Sequence, residues 1–230
     1  MKKKIVTVAL GVAVALAASG AYADNAGPND IRLGMYFVHY EATASDITGP
    51  YTPPGLNVHV QNVETLYVGY VRTLSSHFAA ELAFGYPPLT KTEGRGPATL
   101  GSVPYNGRVI STARWVAPSL LLEYLFGDPS SRLRPFVGVG VNYTKFVARQ
   151  STAAGNAASG GPTSISLPVS VGPAATAGLA YELTDRWHAY ASYSVAQVNT
   201  KLTADTAGII RTSEIHFWPN TLVISVGYSF

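Results

Sequence analysis

Cysteine is absent from this chain of 230 residues, which excludes a disulfide framework, a thiol nucleophile and a cysteine-ligated metal site. Charge is scarce: 13% of the residues are charged, against the ~25% usual for soluble globular proteins. Beyond residue 23 there is no apolar run approaching the ~18 residues that a membrane-crossing helix needs, so helical spans are excluded. Hydrophobic residues make up 47% of the chain, too many for general disorder. The length fits one domain.

A formal charge of +3 and a pI near 9.0 suggest an anionic partner until the charges are located. Three of them are Lys2, Lys3 and Lys4, followed by an apolar run from Ile5 to Ala18 and an Ala-x-Ala site at Ala21 and Ala23. That order is a signal peptide, 1–23, with cleavage expected after Ala23 and an apolar segment too short to anchor. The remaining domain, 24–230, carries 13 basic and 13 acidic residues. A nucleic-acid partner is therefore not expected.

The mature chain alternates with a period of two between Gly, Pro, Ser and Asn clusters, the signature of strands. Leu222, Ile224, Val226, Tyr228 and Phe230 are bulky while Ser225, Gly227 and Ser229 between them are small. Val137, Val139, Val141 and Tyr143 alternate likewise with Gly138, Gly140, Asn142 and Thr144, as do Phe78 to Tyr86 with Ala79, Glu81, Ala83 and Gly85. Eight segments read this way, at 31–42, 60–72, 77–90, 108–126, 134–149, 166–183, 187–202 and 210–230. Three short connections alternate with four long ones at 43–59, 91–107, 150–165 and 203–209, the third flexible by composition.

The reading is an all-β, eight-stranded antiparallel barrel, an up-and-down meander. A soluble barrel would carry its charges opposite the bulky face; here that face is Gly, Ser, Thr, Ala and Asn, which suits a narrow interior, and the bulky face suits lipid. Closed strands also satisfy every backbone polar group, as lipid requires. Tyr124, Phe126, Trp187, Tyr228 and Phe230 stand at strand ends as candidates for an interfacial girdle. Short turns place the C-terminus on the periplasmic side of the outer membrane of a Gram-negative bacterium.

The stretch from Glu123 to Thr144, EYLFGDPSSRLRPFVGVGVNYT, resembles the fourth strand, turn and fifth strand of the OmpW family of small outer-membrane barrels. Weaker similarity lies in Leu66 to Leu82, Gly178 to Trp187 and Val226 to Phe230. The resemblance implies a narrow, largely apolar lumen that admits small hydrophobic molecules and releases them sideways into the membrane, with further roles in stress response and host interaction. It implies a pinch of large apolar side chains, but Ala83 and Ser194 stand where these are expected, so the pinch is looser here or built elsewhere. It also makes the terminal Phe230 a signal for the outer-membrane assembly machinery.

Inward parity at the periplasmic end collects Arg32, Glu81, Glu123 and Glu182, with Arg134 beside them, and predicts an ion-pair plug or, alternatively, carboxylates hydrated at the rim. Above it, Tyr36, Val38, Ala83, Trp115, Tyr190 and Ser194 are expected to line a more apolar path. Pro118 and Pro219 fall inside strands, cannot donate to the ladder, and mark either a lateral seam or bulges at the rim. His188 shares a strand face with Tyr190, Ser192 and Ser194, a Ser/His pattern that lacks an acidic third member. The five histidines, His39, His59, His77, His188 and His216, have no ligand-like spacing, so neither metal nor cofactor is expected. The expected function is a monomeric channel for small hydrophobic solutes surrounded by membrane lipid or lipopolysaccharide. The alternatives are an adhesion or structural protein acting through its long loops, and a lipid-modifying enzyme.

Overall fold

A computed structural model describes residues 27–97, 99–100 and 103–230. The expected signal peptide lies outside the described residues. The strands are β1 (Asn29–Ala44), β2 (Asn57–Val60), β3 (Val63–Thr73), β4 (Phe78–Gly85), β5 (Leu89–Arg95), β6 (Thr99–Leu100), β7 (Val103–Pro104), β8 (Val109–Val116), β9 (Ser119–Leu125), β10 (Leu133–Ser151), β11 (Thr163–Ser166), β12 (Ser170–Glu182), β13 (Trp187–Ala196), β14 (Val198–Thr206) and β15 (Ile209–Ser229). One helix, α1 (Ala153–Ser159), lies between β10 and β11.

Eight of these strands close an antiparallel ring in the order β1, β3, β4, β9, β10, β12, β13, β15 and back to β1. The alternation orients this ring as an inside-out protein. Val137, Val139 and Val141 are 44%, 66% and 53% exposed on its outside, while Phe136, Asn142 and Thr144 are buried within. Leu133 to Tyr143 on β10 is ten residue steps; at ~3.3 Å per residue and a tilt of about 40° that is an apolar band roughly 25 Å tall, the height of an outer-membrane hydrocarbon layer.

Tight turns close the lower edge. The Ser75 hydroxyl accepts from the His77 and Phe78 amides, and the Thr184 hydroxyl from those of Arg186 and Trp187. Girdle aromatics stand beside these turns: Tyr124 packs edge-on against Phe78 and Phe126, and Trp187 against Tyr228. Backbone bonds between Asn29 and Phe230 join the first strand to the chain end.

Above the ring the same sheet continues as two ladders, β11–β14–β15–β1 and β2–β5–β8–β10, joined through the ring strands below. Two expectations about the long connections fail here. Residues 203–209 are not a long loop: β14 pairs with β15 up to Thr206↔Ile209, and Ala207 and Gly208, at φ 52° and 87°, make a two-residue hairpin turn. The small-residue segment 150–165 is not simply flexible. Thr152 caps α1 through its hydroxyl, Gly160 ends it in the left-handed conformation, and Ala158 is buried. The side chains of Leu56, Tyr105 and Ala158, from three different connections, pack together as a cap over the mouth. Burial pushes the Tyr105 phenol well above its ordinary pKa.

Candidate functional site

The floor of the lumen is a charged cluster built by six ring strands. Arg32 on β1 extends Nη1 to 3.4 Å from Glu81 Oε2 on β4, Nη2 to 3.6 Å from Glu123 Oε2 on β9, and Nε to 3.6 Å from Asp30 Oδ2. The Tyr190 ring on β13 lies 3.8 Å from the guanidinium carbon, and that of Phe136 on β10 lies 5.8 Å away. The Tyr190 hydroxyl donates to Asp30 Oδ2 at 2.6 Å, and the Tyr67 hydroxyl on β3 donates to Glu81 Oε1. Small residues on the inner wall make room for the cluster: a Cβ at Gly227 would come within 2.5 Å of Asp30 Oδ1 and 2.7 Å of the Tyr190 ring. Arg32 is 4% exposed and Glu123 fully buried, so water is excluded and each charge depends on its neighbours.

Arg32, Glu81 and Glu123 are thus brought together, whereas two residues expected with them are not. Arg134 lies at the rim and donates to the carbonyls of Ser76, Leu125 and Phe126, because it begins β10 below the level of the cluster. Glu182, opposite His188, is half-buried at the end of β12 with no ion pair among the described residues. Sequence reasoning missed Asp30, Tyr67 and Phe136. Their parity marked them as inward, but Asp30 precedes the apparent start of the first strand and the two rings look like ordinary core.

Over this floor sits a cavity of about 140 Å³. That compares with the ~150 Å³ apolar cavity known to accept benzene. Tyr36, Val38, Ala83, Trp115 and Ser194 line it as expected. Tyr190 does not: it sits lower, on Arg32, and belongs to the floor. Tyr36 and Tyr67, with ring centroids 5.0 Å apart, pack with Ala83 and Val223 where the cavity meets the floor. A larger apolar cluster of Val58, Val60, Val198, Leu202, Ile215 and Phe217 forms the upper part of the barrel interior, and all of these but Val58 line the same cavity.

Of the two expected prolines, the wall is continuous on both sides at Pro219 only. At Pro219, β15 keeps one register with β1 from Asp30↔Ser229 to Ala44↔Ile215 and one with β13 and β14 on its other side. At Pro118, β8 and β9 keep a common register against β10, and the Pro118 carbonyl still accepts from the Tyr143 amide at 2.9 Å. At Pro219 the lone proline removes one donor and its neighbours hold the seam, whereas on the other side of Pro118 the ladder lapses between Ala83↔Ser119 and Leu89↔Arg114 and changes register by one residue. The wall also parts between residues 62–65 and 87–90. The bracketing bonds are Tyr86 N to Leu66 O at 2.9 Å below and Gln61 N to Lys91 O at 3.0 Å above. The strands separate and rejoin in the same register, since Tyr67↔Gly85 and Val60↔Thr92 have the same offset. Pro87 and Pro88 are the local cause: successive N–H groups of a strand point to opposite neighbours, so the pair removes one donor toward 62–65 and one toward 115–118, where the ladder also lapses. The stranded carbonyls are met by side chains, with Thr65 Oγ1 donating to Tyr86 O and Arg114 Nη1 to Pro87 O, both at 2.7 Å.

This window is flanked by Phe37, Val63 and Leu89 and rimmed by His39, Asn62, Glu64 and Lys91, and Val38 borders both it and the central cavity. Leu66, Tyr86 and Leu89 are exposed on its outer side, so it opens at the upper edge of the apolar band. The Ser/His pattern is not assembled. His188 stands at the lower rim with Ser229 Oγ at 3.3 Å, while Ser192 and Ser194 line the cavity, Ser192 being four residues along the strand, roughly 13 Å, away.

A closed eight-stranded ring with an apolar outside and a buried charged floor is an outer-membrane β-barrel of the small, single-chain class. The profile of the OmpW family matches residues 25–230, and the chain belongs to that family. It is 27% identical to outer membrane protein W of Vibrio cholerae serotype O1 over 96% of this chain and 97% of that protein. It is also 27% identical to outer membrane protein W of Escherichia coli strain K12, covering 99% of this chain and all of that one. These relatives are outer-membrane proteins of Gram-negative bacteria. In fold the chain is similar to OprG of Pseudomonas aeruginosa, with TM-score 0.78 and 22% identity over 89% of this chain and 96% of that one. It is also similar to AlkL in lipid bilayers, with TM-score 0.65 and 20% identity over 92% and 95%.

Proposed function

We propose that this barrel takes small hydrophobic molecules from outside the cell and delivers them sideways, through the window between residues 62–65 and 87–90, into the membrane. The observation that carries this reading is the juxtaposition of three features: an apolar cavity, a floor closed by buried charge, and a gap in the wall that shares Val38 with the cavity. Each methylene removed from water favours the lumen by about 0.8 kcal/mol, roughly fourfold in partitioning. Going straight down would require prising Arg32 from Glu81 and Glu123, for which an apolar solute offers no compensating contact. Leaving through the window costs little, because its carbonyls are already satisfied by Thr65 and Arg114. Entry requires the cap of Leu56, Tyr105 and Ala158 to part and the apolar cluster beneath it to admit the solute.

The test is uptake into proteoliposomes or cells of a graded series of alkanes and of polar solutes of equal size, with and without the protein. Acceleration that rises with chain length and is absent for the polar series supports the reading; equal acceleration of both series refutes it. Ala83→Trp, which fills the cavity, is expected to remove the acceleration while leaving a folded barrel.

A further inference from the structure

Alternation along β5, β8 and β10 places Lys91, Arg114 and Lys145 on the outer wall, because their neighbours Thr90, Thr92, Ala113, Trp115, Thr144 and Phe146 all line the lumen. Arg114 is paired on one side with Leu89 and on the other with Val147. Lys91, opposite Thr112, and Lys145, opposite Val116, are therefore its two diagonal neighbours, each about 7–8 Å away by backbone spacing. No carboxylate forms an ion pair with any of the three among the described residues. Beside and below them the wall carries exposed Tyr86, Leu89, Leu120, Val141 and Tyr143. The opposite wall differs: Lys201 on β14 stands directly across from Glu214 on β15, so cation and anion are balanced there.

We infer that Lys91, Arg114 and Lys145 form a binding site for the phosphate groups of an outer-leaflet glycolipid, whose acyl chains lie on the apolar band below. The charge sign, the one-sided placement and the height fit a phosphate anchored by hydrocarbon. Arg114 is already held by its bond to the Pro87 carbonyl, so it needs little ordering to bind. Since Lys91 also rims the window, the bound lipid would stand at the edge of the opening. The assignment does not depend on what the lumen carries.

The test is native mass spectrometry and thermal-shift titration of the intact barrel with diphosphorylated lipid A, with its dephosphorylated counterpart, and with inorganic phosphate. Wild type should retain the diphosphorylated lipid preferentially. Lys91→Gln with Lys145→Gln, which spares Arg114, should weaken it about 25-fold, roughly fivefold per lost cation near an anionic surface, while Lys201→Gln leaves it unchanged. Equal retention of both lipids, or no effect of the double variant, would overturn the site. Displacement of the lipid by inorganic phosphate alone at matched concentration would assign the cations to a free anion and also overturn it.

Discussion

The lower and upper halves of the barrel are made from the same strands but held in different ways. In the lower half each of the eight strands is laddered on both sides, and the interior is occupied by Arg32 and three carboxylates. In the upper half the wall continues as two ladders of the one sheet, the interior is aliphatic and aromatic, and side chains such as Thr65 and Arg114 meet carbonyls that the ladder has released. The difference follows from the solvent outside. Where lipid surrounds the wall, an open edge would leave polar backbone groups without partners, so closure is obligatory and the charges must be kept on the axis. Where the wall rises out of the hydrocarbon, edges can be tolerated. Between the two regimes, Pro87 and Pro88 make an opening whose outer side still faces the apolar band.

That contrast can be broken from the lower side first. Arg32→Met removes the cation that three buried carboxylates share and should destabilise the ring by about 3–5 kcal/mol, read as a lowered urea midpoint for loss of the heat-modifiable folded band. An unchanged midpoint would mean that the floor contributes nothing to closure. A finer comparison lies within the floor. Glu81→Gln disturbs both the Arg32 contact and the Tyr67 hydrogen bond, and should cost about 1–3 kcal/mol. Glu123→Gln disturbs its ion pair with Arg32 but no hydrogen bond, and should cost less, about 1 kcal/mol. Equal losses in the same unfolding assay would show that the two carboxylates play equivalent parts.

The smallest effect belongs to the lower turn. Asp128 is held below its ordinary pKa by the Ser130 hydroxyl and then by the Ser130 amide, with the Arg134 charge adding to them. A depressed folded-state pKa contributes stability above the unfolded value of about 3.9, and this is lost as pH falls through the lower folded value. Amide exchange at Ser130 should therefore be slow at neutral pH and quicken relative to Trp187 only under acid conditions. Acid-insensitive protection at Ser130 would separate the turn from Asp128.

What was legible in the chain follows the same division. The lower half was readable because period-two alternation and a lipid-facing outside are the same fact: Val137, Val139 and Val141 could only point outward if Gly138, Gly140 and Asn142 pointed inward. Inward parity likewise placed Arg32, Glu81 and Glu123 on one axis, yet it could not set their height, which is why Tyr190 was expected in the path and stands on Arg32 instead. The upper half was less readable because its features depend on partners remote in sequence. Thr152 and Gly160 turn a loop-like composition into a capped helix over β8. Pro118 and Pro219 were the visible interruptions; the neighbours of Pro219 remain paired on both sides, those of Pro118 on the β10 side only. The adjacent prolines at 87 and 88 carry the stronger signal, one missing donor toward each neighbouring strand, at the end of the expected strand 77–90.

The absence of cysteine permits a direct test of lateral release. Val63→Cys and Leu89→Cys place one thiol on each side of the window, and a bifunctional reagent with a reducible centre can bridge them in the folded barrel. Uptake of a hydrophobic reporter should fall to the protein-free rate when the bridge is in place and recover on reduction. Uptake that is the same with the window bridged and unbridged would contradict passage through this wall.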